Sequence, residues 1–84
     1  MTLEDIINDP EFVGALKKGD RRVFTRLVRL YEDRIFSLCF RILGSREEAI
    51  EVAQEVFVTV FRRVRAFRGA SKLSTWLYRI AANR

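Results

Sequence analysis

Histidine is absent from this 84-residue sequence, cysteine and proline occur once each, and no acidic residue follows Glu55. With no His and a single Cys, a Ser-His-Asp triad, a Cys-His pair and any His or paired-Cys metal site are excluded by count. The P-loop, the dinucleotide fingerprint and zinc-ligand spacings are missing as well. No catalytic residue set remains, and neither a cofactor nor a metal is expected. The single cysteine, Cys39, cannot form an intrachain disulfide; flanked by Phe36, Leu38, Phe40 and Ile42 it reads as a small buried hydrophobe. No run of about 18 apolar residues exists. The amino terminus, MTLEDIINDP, is acidic where a signal peptide would be basic. A soluble, cytoplasmic protein without membrane insertion is the expectation.

What is present suits one small folded domain. Hydrophobic residues make up 49% of the chain and charged residues 32%, enough apolar surface for one core and too short a chain for two. Charge is distributed unevenly. All eleven acids lie in residues 1–55, beside nine bases, whereas residues 56–84 hold seven bases and no acid. Such a basic stretch is an electrostatic footprint for nucleic acid, with a solvated surface or an anionic membrane as competing explanations.

Pro10 is the only proline, so nothing after it forbids long helices. Turn signals at Gly19-Asp20, Gly44-Ser45 and Gly69-Ala70-Ser71 divide the chain into four helical pieces. A short helix is expected over 11–18, with Phe12, Ala15 and Leu16 on one side. A second, over 21–43, carries Phe24, Leu27, Val28, Tyr31, Ile35, Leu38, Cys39 and Ile42 at core-facing spacing. A third starts at Ser45, where Glu48 completes a capping-box pattern, and runs to about 65 with Ala49, Val52, Ala53, Val56, Phe57, Val60 and Val64 on one face. Its middle, VFVTVF, has strand-like propensity, but the cap and the continuous stripe favour helix. The fourth starts at Ser74 or Thr75 and continues to Arg84, with Trp76, Leu77, Ile80 and Ala81 available for packing. The predicted fold is all-α, a compact bundle of three main helices plus a short N-terminal helix. The second and third are antiparallel and the fourth lies across them.

Two surfaces stand out. On the third helix Glu47, Glu51 and Glu55 repeat every four residues beside Glu48 and Gln54. Like charges at that spacing oppose the helix slightly, which hints at a basic partner, while a solvated face explains them equally well. The second surface, Phe61 to Arg84, interleaves Arg62, Arg63, Arg65, Arg68, Lys72, Arg79 and Arg84 with Phe67, Trp76 and Tyr78 around a polar loop. Cations track phosphates and aromatic faces stack bases, a pairing suited to unpaired strands. Core packing for Phe67 and Trp76, and a cationic helix end for the arginines, are the bland explanations. A helix-turn-helix reader is disfavoured, because seven residues separate Phe67 from Thr75 and that motif's turn is about three or four.

Taken in order, Gln-Glu-Val-Phe, Phe-Arg-Gly-x-Ser and Thr-Trp-Leu-Tyr-Arg-Ile-Ala-x-Asn resemble region 2 of bacterial sigma factors of the extracytoplasmic-function (ECF) group, within the sigma-70 family. The resemblance covers nearly the whole chain from Gly19-Asp20 onward. It implies an N-terminal segment and short helix over 1–19, core and polymerase-docking helices over 20–66, and a promoter-melting loop with the start of a −10 recognition helix over 67–84. It further implies docking of Glu51, Gln54 and Glu55, with Phe57 and Arg62 beside them, on the clamp helices of the β′ subunit of core RNA polymerase. Promoter DNA, as the non-template strand of the −10 element, would be held along the stretch from Arg65 to Asn83. There Phe67, Ser71, Lys72, Leu73, Ser74 and Thr75 shape a pocket for a flipped base, Arg65 and Arg68 flank it, and Trp76, Tyr78, Arg79 and Asn83 hold or read the strand. Glu51 stands where many members carry Asp, Val52 where Leu is usual, and Leu73 where an aromatic is frequent. An anti-sigma factor is expected as a further partner. The family's second helical domain, region 4, is not found among these residues, so reading of the −35 element is not expected of them. Two rivals predict other behaviour: an interaction module acting as an anti-sigma-binding decoy, or a generic single-strand binder with no polymerase partner.

Overall fold

The first four helices each start at a local cause. In the computed structural model, which describes residues 1–83, Thr2 Oγ1 accepts the Asp5 N–H at 3.1 Å while Asp5 Oδ2 accepts the Thr2 N–H at 3.1 Å. That reciprocal pair opens α1, Leu3–Ile7. Asp9 caps α2, Pro10–Lys17, by accepting from Glu11 and Phe12, with Pro10 in the first position where its missing N–H costs nothing. Asp20 caps α3, Arg21–Leu43, through Arg22 and Val23. Gly44, at φ +72°, ends it by donating its N–H to Phe40 at 2.8 Å, a left-handed conformation that glycine adopts at no steric cost. Ser45 then accepts the Glu48 N–H at 3.3 Å to open α4, Arg46–Arg63. Only the serine half of the expected capping box forms. A 3₁₀ turn, Val64–Ala66, leads into a loop over 67–72, and α5 covers Leu73–Ala82.

The all-α bundle is as the sequence predicts, with shifts at the ends. The short helix α1 was not foreseen, α2 begins at Pro10, and α5 begins at Leu73. α5 ends at Ala82 with Asn83 as its C-cap, short of the expected continuation, and Arg84 lies outside the described residues. VFVTVF is helical throughout.

The longest interface is that of α3 with α4, and α5 packs against both. Their shared core holds Leu27, Tyr31, Ile35, Cys39, Ala49, Val56, Val60, Val64, Leu73, Leu77 and Ala81. Burying each large aliphatic side chain contributes about 1.5–3 kcal/mol. The α1–α2 arm adds Ile7, Phe12 and Leu16. Ile42, expected in the core stripe, is 57% exposed. It keeps the core-facing register but lies one turn past Cys39, at the end of the bundle where the packing layer stops. Among the described residues no helix is long and apolar enough to cross a membrane.

Burial pushes the pKa of two core groups upward: Cys39, and Tyr31, where Tyr78 and Glu4 add to the effect. The folded state therefore disfavours ionisation, and the unfolded chain loses these protons first, at about pH 9 and about pH 10. Thermal midpoints are expected to be insensitive to these groups below pH 9 and to fall as pH rises through 9 and 10. Cys39→Ala should flatten the first part of that fall in a calorimetric pH series; an unchanged slope would show that the thiol is not involved.

Candidate nucleic-acid interface

At 3.6 residues per turn, successive side chains point about 100° apart, so α4 presents three different flanks. Glu51, Gln54, Glu55 and Arg62 are exposed on the side opposite the core, together with Val58, 48% exposed. One flank turns Phe57 and Phe61 toward Phe24 of α3, the Phe24 and Phe61 rings meeting edge to face at 5.1 Å. The other flank turns Thr59 and Arg63 toward α5. There they line a groove with Trp76, Arg79, Ile80 and Asn83.

That second groove combines two arginines, an indole and a terminal carboxamide along adjoining helices, in the stretch after Glu55 that contains no acid. Guanidinium groups bind phosphate oxygens as charge-assisted pairs, and an aromatic face beside them accepts a base. Trp76 is braced from beneath: the Phe67 ring lies 5.3 Å from it, tilted by 48°. Phe67 itself is buried, which makes it a support for the indole. The groove brings together Trp76, Arg79 and Asn83, three of the residues the resemblance names as strand contacts. It adds Thr59 and Ile80, which the sequence reading missed, and Arg63, read only as part of the basic run. The available signal was the four-residue step from Thr59 to Arg63 on one flank of α4.

Other predicted residues are placed elsewhere. Leu73 is 2% exposed and Ser74 4%, both turned into the bundle, with Ser74 hydrogen-bonded to Asn8; neither offers a side chain to a base. Arg68, Lys72 and Thr75 are exposed around the loop, and Ser71 Oγ donates to the Lys72 carbonyl at 3.4 Å. Gly69, at φ +75°, turns that loop. Tyr78, next to Arg79 in sequence, faces another groove. It edges a separate α3–α5 groove with Asp33, Arg34, Ser37, Leu38 and Arg41, its ring 6.0 Å from Tyr31. Arg65 and Arg62 both border a hollow against Gly19, Asp20 and Phe24 at the α2–α3 turn, which sets Arg65 apart from the Trp76 groove. Phe57 is 7% exposed and belongs to the core, outside the acidic face.

The sequence matches the Sigma-70 region 2 family over residues 27–84. The chain belongs to that family. Similar curated proteins include the ECF RNA polymerase sigma factor SigW of Bacillus subtilis, 46% identical over 84% of this chain and 38% of that protein. The RNA polymerase sigma-H factor of Pseudomonas aeruginosa is 43% identical over 89% of this chain and 39% of that protein. The ECF RNA polymerase sigma-E factor of Escherichia coli K12 is 37% identical over 96% and 42%. The chain thus spans about two fifths of the length of these relatives. A solved NMR structure of an engineered region 2 of sigmaE in complex with GTAAAA superposes with a TM-score of 0.79 at 36% identity, covering 99% of this chain and 84% of that one. The similarity to that structure extends over α1 and α2 as well as the part matched by the family.

Proposed function

We propose that this region 2 domain is a transcription-initiation module that joins RNA polymerase to the single-stranded −10 element of a promoter. The observation that carries the reading is the α4–α5 groove, where Arg63 and Arg79 accompany Trp76 and Asn83. A strand laid there has its phosphates on the guanidinium groups and a base against the indole. On this reading the exposed Arg68 and Lys72 of the loop supply further cations for the strand, and the exposed Thr75 a hydroxyl. Structural similarity to a region 2 held in complex with a hexamer of DNA bases supports the choice of ligand.

The outer side of α4 serves the second partner. Glu51, Gln54 and Glu55 surround the exposed Val58, with Arg62 one turn beyond. An acidic rim about an apolar centre suits a basic helical surface, and on this reading that surface is the β′ clamp-helix coiled coil. In this arrangement 1–19 braces the bundle, 20–66 docks, and 67–84 engages the promoter, all in the cytoplasm. An anti-sigma factor covering the α4 faces is the matching regulator. The domain contributes no catalysis.

Energetics assign opening of the duplex to the whole polymerase complex. Unstacking DNA costs about 1.4 kcal/mol per step, on the order of 14 kcal/mol for ten pairs. Two or three captured bases return only ~1–3 kcal/mol each. The experiment is a titration of the domain with labelled −10 oligonucleotides, single-stranded and duplex, alongside permanganate footprinting of promoter DNA without core enzyme. Salt-sensitive binding to single strands with no reactive thymines in the duplex is expected. Equal affinity for duplex, or thymine reactivity with the domain alone, would refute the reading.

A further inference from the structure

Asn8 was not singled out in the sequence, yet its carboxamide makes two hydrogen bonds to a residue 66 positions away. Oδ1 accepts the Ser74 N–H at 3.0 Å and Nδ2 donates to Ser74 Oγ at 3.0 Å. The contact is shielded from water, with Ser74 4% exposed and Asn8 half-buried.

Helix α5 lacks the device that opens its neighbours. Asp9, Asp20 and Ser45 cap α2, α3 and α4 from within each helix's own sequence, whereas Lys72 at the start of α5 makes no side-chain cap bond and the first turn contains no acid. The first N–H groups of a helix have no partner in the helix itself, and Asn8 supplies one from across the domain. Asn8 is in turn fixed from both sides. It ends α1, donating its N–H to the Glu4 carbonyl at 2.9 Å, and directly precedes the Asp9 cap of α2. Ile7 beside it is completely buried, and α1 packs against α5.

We infer that Asn8 is a positioning residue for single-strand capture. The α1–α2 arm sets where α5 begins, and so where the 67–72 loop ends and where Trp76 stands. Trp76 is one turn along, its N–H donating to the Lys72 carbonyl at 3.0 Å. This role rests on the single-strand reading above. It also gives the amino-terminal arm a part in promoter binding that does not require it to touch DNA.

The test uses three variants of the domain and a fluorescent 12-mer single strand with six randomised central positions. Asn8→Ala removes both bonds and is expected to weaken binding by up to about fivefold, the limit reached when a typical cap loss of ~1 kcal/mol has to be made good on binding. Asn8→Asp keeps an acceptor for the Ser74 N–H and lets the Ser74 hydroxyl donate, so affinity should return to within about twofold of wild type. Ser74→Ala deletes one bond and should weaken binding about twofold; it carries the test if Asn8→Ala does not fold. Hydrogen exchange of the Ser74 amide, followed in parallel, should quicken in Asn8→Ala and recover in Asn8→Asp. A folded Asn8→Ala, or Ser74→Ala in its place, that binds as wild type does would overturn the inference and leave the single-strand reading standing. Failure of the wild-type domain to bind any strand would overturn both.

Discussion

Replacing Arg63 and Arg79 together by Ala is expected to weaken binding of single-stranded DNA about 25-fold at 0.1 M salt, with the fold intact. Both side chains are exposed and line the Trp76 groove, so their removal leaves the core undisturbed. For single strands each phosphate contact adds about 0.7 to the slope of log affinity against log salt. Two contacts make roughly 1.4 log units over the decade from 1 M to 0.1 M, and the salt dependence should shallow by the same amount. Arg29→Ala, exposed on α3 outside the groove, is the control and should leave both quantities nearly unchanged. Titrations at four salt concentrations decide the matter. A double variant with the wild-type slope would show that the strand runs elsewhere.

Leu77→Ala is expected to be the most destabilising simple truncation on α5. The side chain is 1% exposed and joins α5 to the α3–α4 pair. Removing a buried leucine costs about 2–5 kcal/mol through lost burial and the cavity left behind. A domain of this size has roughly 4–13 kcal/mol in total, at 0.05–0.15 kcal/mol per residue. The midpoint of thermal unfolding should drop by at least about 8 °C, since each kcal/mol shifts a small domain by about 4–8 °C. Calorimetry reads this directly. A shift below a few degrees would mean that α5 is held mainly by its ends, including the Asn8 contact.

The particular residues show how far the sequence could be read. Helices α3 and α4 were legible because each repeats its apolar stripe over several turns and is bounded by Asp20, Gly44 and Ser45, signals that act within a few residues. Helix α1 was missed because five residues make little more than one turn, too short for a periodicity; its Thr2–Asp5 cap was the only clue. The location of the basic surface was legible from charge alone, but its division was not. Tyr78 and Arg79 are neighbours in sequence and point into different grooves because a helix turns about 100° between them. Arg65, in the 3₁₀ turn after α4, borders the α2–α3 turn instead of joining Arg63. Ser74 had the composition of a polar pocket residue, and only the tertiary fold, which brings Asn8 to it, explains why it is buried.

The central claim is that α4 serves two partners on two of its flanks. It is tested most directly by NMR chemical-shift mapping of the ¹⁵N-labelled domain against a single-stranded −10 oligonucleotide and, separately, a β′ clamp-helix fragment. The oligonucleotide should perturb Thr59, Arg63, Trp76, Arg79 and Asn83, the fragment should perturb Glu51, Gln54, Glu55, Val58 and Arg62, and each should bind with the other present. Perturbation of one common set by both ligands, or mutual exclusion, would contradict the account.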